Sequence, residues 1–356
     1  MYNNIDDNKN KVPNRKEIIE KCKDKKIRNI KFQEFIETKV SDKMYHFIKD
    51  CGTFLQLISN TDLSVKRLIG SNSCKNRFCP LCSWRKSLKD ALMIDIIMQH
   101  LKLEEDQEFY FLTLTAPNVT AEELESEITH YNKSFQRLMQ LKEVKTLVNG
   151  YVRKLEVTYN ANEYITKSMY NKKKTYYNYR NLKVGDREPN FNTYHPHFHV
   201  ILAIDRNAIK KNGYKWITQE KWLDLWKRST RNSSITQVDF QKIRTSSKGK
   251  EAFEVAKYSA KDSDYLHSKK VFDTFYNALK GKQLIVYSGL FKEGVQLYND
   301  GELDCYKEKD QEEYIYMLLY DWVNKCKDYE EKKKRELTQE EYQKYNKQYI
   351  EEMDKD

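Results

Sequence analysis

Apolar residues along the middle of the chain alternate between strand-like and helix-like spacing. Four runs rich in aromatic and β-branched residues predict buried strands: FYFLTLTAP (109–117), GYVRKLEVTYN (150–160), HFHVILAI (197–204) and SITQVDFQKI (234–243). Three segments carry apolar residues at helical spacing and predict helices: 121–142, 218–229 and 251–266. This order of elements predicts an α+β fold, in which helices flank a central antiparallel sheet.

The remaining segments differ from this central region in composition. A basic, tyrosine-rich connection at 165–191 is too polar for a core and is expected to loop out toward a ligand or solvent. The sequence predicts four parts: a polar N-terminal segment (1–50), a cysteine-rich segment (51–90), the main domain (105–290) and a charged, helical, peripheral tail (306–356).

The charge of the chain is uneven. The net charge is +11, but residues 306–356 carry −4, so that the rest carries +15. A basic body with many of the 26 tyrosines suits a polyanion with stackable bases. An AT-rich genome is the alternative source of this composition, since the chain has only 10 Gly and 5 Pro. The sequence contains no membrane-spanning run and no apolar core of a signal peptide, which predicts a cytoplasmic protein.

Three of the seven histidines lie in YHPHFHV. Alternate side chains of a strand share a face, so His195, His197 and His199 are expected to project together. Imidazoles at this spacing can share one divalent cation and leave positions open for water or phosphate oxygens. The alternative is that one or two are core histidines, or that Pro196 turns His195 away. Three alternating histidines that lead into an apolar strand favour a metal site.

Three cysteines are clustered in CKNRFCPLC, and Cys79 and Cys82 have the spacing of a metal knuckle. Cys74 precedes them, and Cys51 is the candidate for a fourth ligand of a structural Zn²⁺. Disulfides are not expected, because the seven cysteines are odd in number and no secretion signal is present. Reduced core thiols are the alternative. A redox motif is disfavoured because no βαβ context surrounds the pair.

The segment EVAKYSAKDSDYL has a possible nucleophile on a predicted helix. Glu254 and Tyr258 are four residues apart and share one helical face, and Tyr265 lies on nearly the same face. A tyrosine hydroxyl can attack a phosphodiester if a divalent cation polarises the phosphate and a cation such as Lys257 or Lys261 stabilises the developing charge. Glu254 can then activate a water. The alternative is an ordinary surface helix with solvated lysines.

Together these segments resemble the plasmid rolling-circle replication initiator (Rep) family of Gram-positive bacteria, within the HUH endonuclease superfamily. They occur in the family's order and cover about residues 51–266. They are CKNRFCPLCSWRKSLK (74–89), FLTLTAPN (111–118), KLEVTYN (154–160), YHPHFHVILAI (194–204) and EVAKYSAKDSDYL (254–266).

The resemblance implies a ferredoxin- or RRM-like palm and a nickase of the double-strand origin. In such an enzyme Tyr258 forms a 5′-phosphotyrosyl bond, and the freed 3′-OH primes rolling-circle replication by a host polymerase, with a host helicase. The origin is expected as a single strand or an extruded hairpin. The resemblance further implies that His197 and His199 hold Mg²⁺ or Mn²⁺ and that Glu254 serves in termination, while Tyr265 is a weaker candidate for a second nucleophile.

The third metal ligand remains open between Glu156, the first candidate, and His195. The segments 83–89 and 165–191 are candidates for base reading. The single residues that are candidates for DNA contact are Arg77, Arg85, Lys86, Lys257 and Tyr258. Two rival functions are another HUH nickase (a transposase or mobilisation relaxase) and a non-catalytic, zinc-containing DNA-binding regulator.

Overall fold

The structure is a computed structural model that describes residues 16–207, 216–244, 250–256, 260–347 and 349–352. The chain divides into two compact units. The first unit comprises Met1–Lys89 and Lys307–Asp356, and the second unit comprises Asp90–Tyr306. Within the described residues, no helix is both long and apolar enough to span a bilayer. The predicted main domain, residues 105–290, lies inside the second unit.

The described residues form thirteen α-helices and nine strands. The helices are α1 (Lys16–Ile36), α2 (Asp42–Asp50), α3 (Pro80–Leu103), α4 (Leu124–Gln140), α5 (Lys142–Lys145), α6 (Lys167–Lys172), α7 (Lys174–Tyr179), α8 (Gln219–Thr230), α9 (Lys250–Ala256), α10 (Asp262–Tyr265), α11 (Lys269–Leu279), α12 (Leu290–Asn299) and α13 (Gln339–Tyr345). The strands are β1 (Phe54–Ser59), β2 (Lys66–Ser71), β3 (Gln107–Leu114), β4 (Val148–Asn160), β5 (Thr193–Asp205), β6 (Val238–Lys242), β7 (Ile285–Gly289), β8 (Tyr316–Val323) and β9 (Asp328–Glu336).

The second unit is built on a five-stranded antiparallel sheet in the order β6-β3-β5-β4-β7. The predicted α+β fold with a central antiparallel sheet is confirmed. The four strands that the sequence predicts are β3, β4, β5 and β6, and the structure adds β7 at the edge beside β4. The two longest strands, β4 and β5, pair over almost their whole length at the centre.

One face of this sheet is covered by α4 and α8, which pack against each other. Thr218 is the N-cap of α8, and its side chain accepts a hydrogen bond from the Lys221 N–H. Phe198 of β5 lies in the apolar layer, with its ring centroid 5.5 Å from that of Phe135 and 6.3 Å from that of Trp226. This packing fixes the β5 backbone, because interdigitated aromatic side chains leave no room for a shift.

The first unit contains a four-stranded sheet in the order β2-β1-β8-β9. The prediction of a helical, peripheral tail from residue 306 was therefore wrong, since β8 and β9 are strands and only α13 is helical. The apolar run at 315–323 explains the difference: Met317, Leu318 and Trp322 are buried, and β8 pairs with β1 along six residues. The exposed lysines of β9 suit an edge strand, where charge opposes further pairing.

The predicted helix at 251–266 is not one continuous helix in the described residues. Its start forms α9, but Lys261 is extended (φ −67°, ψ 139°) and caps the separate short helix α10. Residues 257–259, between the two, lie outside the described residues. The connection expected to loop out at 165–191 contains the two short helices α6 and α7.

Candidate active site and metal centres

Strand pairing brings one acidic residue to two histidines. In the antiparallel pair of β4 and β5, Glu156 lies opposite His197, and Lys154 lies opposite His199. Directly opposed residues share a face of the sheet, as do residues two apart in one strand. Glu156, His197 and His199, here called the Glu–His cluster, therefore project together on the face opposite Phe198.

The distances within the Glu–His cluster suit one cation. The Nε2 atom of His199 lies 3.2 Å from Glu156 Oε2, and the Nε2 atom of His197 lies 3.8 Å from the same oxygen. One ligand atom from each of the three side chains lies within 4.8 Å of the others. Two imidazoles and one carboxylate form a donor set that suits divalent metals and leaves coordination positions open.

The second ring nitrogen of each histidine also has a partner. His197 Nδ1 lies 3.1 Å from the carbonyl oxygen of His195, and His199 Nδ1 lies 3.4 Å from Thr113 Oγ1. An Nδ1–H that donates to such an oxygen leaves the Nε2 lone pair for a cation and fixes the ring. Thr113 lies opposite His199 across the β3–β5 pair, so the same sheet supplies both ligand and support.

The charge states of the cluster at neutral pH also suit a cation. Burial opposes ionisation of Glu156, but the adjacent side chains of His199 and His197 lower the pKa of Glu156 to about 2. Burial lowers the pKa of His197 below its ordinary value. At neutral pH the carboxylate is thus ionised and the His197 ring is neutral, which is the protonation state that metal binding requires.

His195 lies beside the cluster without joining its ligand atoms. Its ring stacks on that of His197, with centroids 4.9 Å apart and an angle of 21°. Burial first, and then the charges of His197 and Lys173, lower the pKa of His195 to about 4. Of the two candidates for a third ligand, the structure brings Glu156, and not His195, into the group of three that could hold an ion.

Two described parts of the segment expected to supply the nucleophile lie near the strands that carry the Glu–His cluster. The helix α9, which carries Glu254, contacts β4 and β5. Lys261 is close enough that its charge acts on both Glu156 and His197. Tyr258 and Lys257 lie outside the described residues.

Tyr265 differs from the position expected for a second nucleophile. It lies on α10 and not on a continuous helix with Glu254, and it is only 3% exposed. Its ring lies 6.2 Å from that of Phe272 and 6.3 Å from that of Phe275. A bulky phosphodiester cannot reach a side chain that is buried in this way.

Four cysteines come together in the first unit. The Sγ atoms of the four-cysteine cluster, Cys51, Cys74, Cys79 and Cys82, all lie within 4.8 Å of one another. Three of the separations are 3.5 Å (Cys51–Cys79), 3.4 Å (Cys51–Cys82) and 3.7 Å (Cys74–Cys82). A tetrahedral Zn²⁺ with Zn–S bonds of about 2.3 Å has S···S edges of about 3.8 Å. The donor set and its size therefore fit a tetrathiolate metal site.

Local structure positions these thiols. Cys51 ends α2, and the turn that follows it uses Gly52 at a φ of +70°, where an added Cβ would lie 2.6 Å from the Leu81 side chain. Cys82 lies in the first turn of α3. Hydrogen bonds among the neighbouring thiols, that with Cys51 first, lower the pKa of Cys82 and raise the pKa values of Cys74 and Cys79.

A buried lysine and an amide contact the four-cysteine cluster from α1. Lys26 is 2% exposed, and its Nζ donates to the carbonyl oxygens of Cys51 at 2.7 Å and of Lys49 at 3.0 Å. Asn29 Nδ2 donates to Cys79 Sγ at 3.3 Å. Sequence reasoning missed both residues, because they lie far from the cysteines in the chain. The local indication in the sequence is that a lysine and an asparagine, three positions apart, lie on a helix face that is otherwise apolar.

A family model described as "Replication protein" matches residues 65–330. The chain belongs to the Rep family of plasmid replication initiators. The match covers the Glu–His cluster and three of the four clustered cysteines. The resemblance that the sequence carries is thereby confirmed.

Relatives of this replication initiator cover most of its length. "Protein rep" of Staphylococcus aureus is 45% identical over 251 residues, which are 70% of this chain and 96% of the relative. "Protein rep" of Streptococcus pneumoniae serotype 2 is 30% identical over 314 residues, 83% of this chain and 89% of the relative. "Protein rep" of Bacillus amyloliquefaciens is 31% identical over 280 residues, 72% of this chain and 74% of the relative. No solved structure matches the initiator.

The predicted DNA contacts of the initiator in the cysteine-rich segment differ in exposure. Arg77 and Lys86 are exposed. Arg85 instead donates to Ser71 Oγ at 3.1 Å and to Glu352 Oε1 at 3.1 Å. A guanidinium held in this ion pair binds a phosphate only after the pair is broken.

Proposed function

We propose that this initiator nicks one strand of its plasmid origin by transesterification to Tyr258. The phenolic oxygen forms a bond to phosphorus while the bond to the 3′ oxygen of the preceding nucleotide breaks. The phenolic proton passes to solvent, and the leaving oxygen takes up a proton to become a 3′-OH. The products are a 5′-phosphotyrosyl bond and a free 3′-OH, from which a host polymerase extends after a host helicase opens the duplex.

The Glu–His cluster carries this proposal. Mg²⁺ or Mn²⁺, when bound there, supplies Lewis-acid polarisation of the scissile phosphate. The sheet holds Glu156, His197 and His199 in place, and contacts to the second ring nitrogens hold the two histidines further. These residues can therefore orient the phosphate with little reorganisation. The contact of α9 with β4 and β5 supports the approach of a nucleophile that follows α9 in the chain.

Two further side chains have roles in the proposal. Lys261 stabilises the charge that develops on the phosphate, since its own charge already acts on Glu156 and His197. Glu254 activates the water, or a second attacking hydroxyl, that ends the cycle. The origin enters as a single strand or an extruded hairpin, because the attacking oxygen must reach an exposed phosphate.

The variant His197→Ala/His199→Ala is expected to lose cation-dependent nicking by at least about 10²-fold, because two of the three ligands are removed. The measurement is covalent-adduct formation with a labelled origin oligonucleotide across a Mn²⁺ titration. His195→Ala is the matched control. It removes a neighbouring imidazole from outside the group of ligand atoms, and it is expected to keep the Mn²⁺ dependence of the parent.

Equal activity of the double variant and the parent at all Mn²⁺ concentrations would refute the metal site. A loss in His195→Ala as large as that in the double variant would instead assign His195, and not Glu156, as the third ligand. Glu156→Gln separates these cases, because it keeps the side-chain shape and removes the charge.

The four-cysteine cluster is proposed to hold a structural Zn²⁺. All four ligands are protein thiols, so no coordination position is left for a substrate. Lys26 compensates part of the negative charge that a tetrathiolate site carries, and Asn29 fixes the Cys79 sulfur through its hydrogen bond. The role of this site is thus to stabilise the first unit.

Lys26→Met is expected to lower the free energy of unfolding by roughly 2 to 4 kcal/mol and to speed zinc release, because it leaves the carbonyl groups of Cys51 and Lys49 without this donor and removes the compensating charge. Urea unfolding and zinc transfer to a chromophoric chelator measure the two effects. Lys31→Met, at an exposed position of α1, is the control and should change stability by less than about 0.5 kcal/mol. Equal behaviour of the two variants would contradict the role of Lys26.

A further inference from the structure

Residues 161–192, here called the Tyr/Lys insertion, form a folded connection between β4 and β5. The insertion is organised around Glu188, which is 2% exposed. The hydroxyl of Tyr177 donates to Glu188 Oε2 at 2.6 Å, and the Asn190 N–H donates to Glu188 Oε1 at 3.1 Å. The Glu188 N–H in turn donates to the carbonyl of Glu163 at 2.8 Å, which joins the start of the insertion to its end. A buried carboxylate with matched donors holds the insertion in a defined shape.

The outer surface of the Tyr/Lys insertion is basic and aromatic. All seven of its lysines and arginines are exposed: Lys167, Lys172, Lys173, Lys174, Arg180, Lys183 and Arg187. Only two of its three acidic residues are exposed, because Glu188 is buried. Tyr179 is 84% exposed and Tyr164 58% exposed. Aromatic rings among exposed cations are the combination that binds unpaired nucleic acid, since bases stack on the rings and phosphates contact the cations.

The insertion leaves the sheet close to the Glu–His cluster. β4 ends at Asn160, four residues after Glu156, and β5 begins at Thr193, four residues before His197. At about 3.3 Å per residue, four strand residues span about 13 Å. Stacked nucleotides at about 3.4 Å each cover that distance in about four steps. A strand with one phosphate at the cluster therefore reaches the insertion within a few nucleotides.

We propose that the Tyr/Lys insertion binds the single-stranded DNA that flanks the cleaved phosphate, with Tyr179 as a stacking platform and Lys172, Lys173 and Lys174 as phosphate contacts. The inference rests on the proposed nicking function for the position of the phosphate. Single-stranded DNA is the partner that fits best, because a duplex keeps its bases stacked on one another and leaves exposed tyrosine rings without a use.

Binding of the full chain to a labelled single strand of about 20 nucleotides tests this inference, measured by fluorescence anisotropy over a range of salt concentrations and without added Mg²⁺ or Mn²⁺. Lys172→Ala/Lys173→Ala/Lys174→Ala is expected to lower the slope of log K against log[salt] by about 2, since each phosphate contact on a single strand contributes about 0.7. Tyr179→Ala is expected to weaken binding about tenfold, and Tyr179→Phe to restore it.

The matched control removes the same charge from β9 of the other unit, by Lys332→Ala/Lys333→Ala/Lys334→Ala. Equal changes in slope for the two triple variants would overturn the inference, because net charge alone would then explain them. Unchanged affinity of Tyr179→Ala would also overturn it, as would an equal loss on a duplex of the same sequence. Thermal unfolding of each variant verifies the fold. Since no nicking is measured, this result is independent of whether Tyr258 forms an adduct.

Discussion

Tyr258→Phe is expected to abolish the covalent protein–DNA adduct, with a loss of at least about 10³-fold. The substitution removes only the hydroxyl oxygen that forms the bond to phosphorus. The measurement uses a 5′-labelled or 3′-labelled origin oligonucleotide with Mn²⁺ and denaturing electrophoresis. Label should be retained on the protein only for the strand 3′ of the nick, because the phosphotyrosyl bond is to a 5′ phosphate.

Tyr265→Phe is the matched control for this experiment. Its ring lies near those of Phe272 and Phe275 and is buried, so loss of its hydroxyl should leave adduct formation intact. Full adduct formation by Tyr258→Phe together with its loss in Tyr265→Phe would reverse the assignment. Glu254→Gln should form the adduct and release it more slowly, since the carboxylate is proposed to act after the first transfer.

Removal of zinc is expected to unfold the first unit. Apparent binding energies of structural zinc sites are on the order of 10 kcal/mol, which is comparable to the whole stability of a domain. Cys79→Ser should therefore lose its zinc and show an early unfolding transition that the parent lacks. Zinc content by atomic absorption and the thermal unfolding curve measure the two effects. The Sγ···Sγ separations of 3.4 to 3.7 Å are the basis for this expectation.

Cys326→Ser is the control for the zinc prediction, because Cys326 is exposed and lies outside the four-cysteine cluster. It should keep the zinc content and the unfolding curve of the parent. A parent protein that contains no zinc and whose clustered thiols react promptly with a thiol reagent would establish reduced core cysteines instead.

The sequence predicts most of the candidate site because strand periodicity alone brings His197 and His199 to one face. Spacing could not decide between Glu156 and His195, since the decision depends on which residue of β4 lies opposite His197. That register is set by long-range pairing and core packing, not by local pattern. Contacts such as Thr113 to His199 are hidden from sequence reasoning for the same reason.

The errors in the fold have an equally specific cause. The high content of Glu, Lys and Tyr in the tail predicts a peripheral segment and obscures the short apolar run of β8. Average composition does not reveal a short strand whose partner lies far away in sequence. In β8, for example, Asp321 pairs with Phe54 of β1. The Tyr/Lys insertion buries only Ile165, Tyr177 and Glu188 among its described residues, and such a small, partly polar core leaves no apolar periodicity from which its short helices could be predicted.

The pairing of β1 with β8 also sets an order for synthesis of the chain. β1 has β2 as an early neighbour, but its other edge waits for residues that leave the ribosome only after the entire second unit. At about 5 to 20 residues per second this edge stays open for roughly 15 to 50 s. An open edge pairs readily with the same edge of another unfinished chain. A low level of translation therefore suits this topology, because nascent chains at high concentration would aggregate before they could start replication.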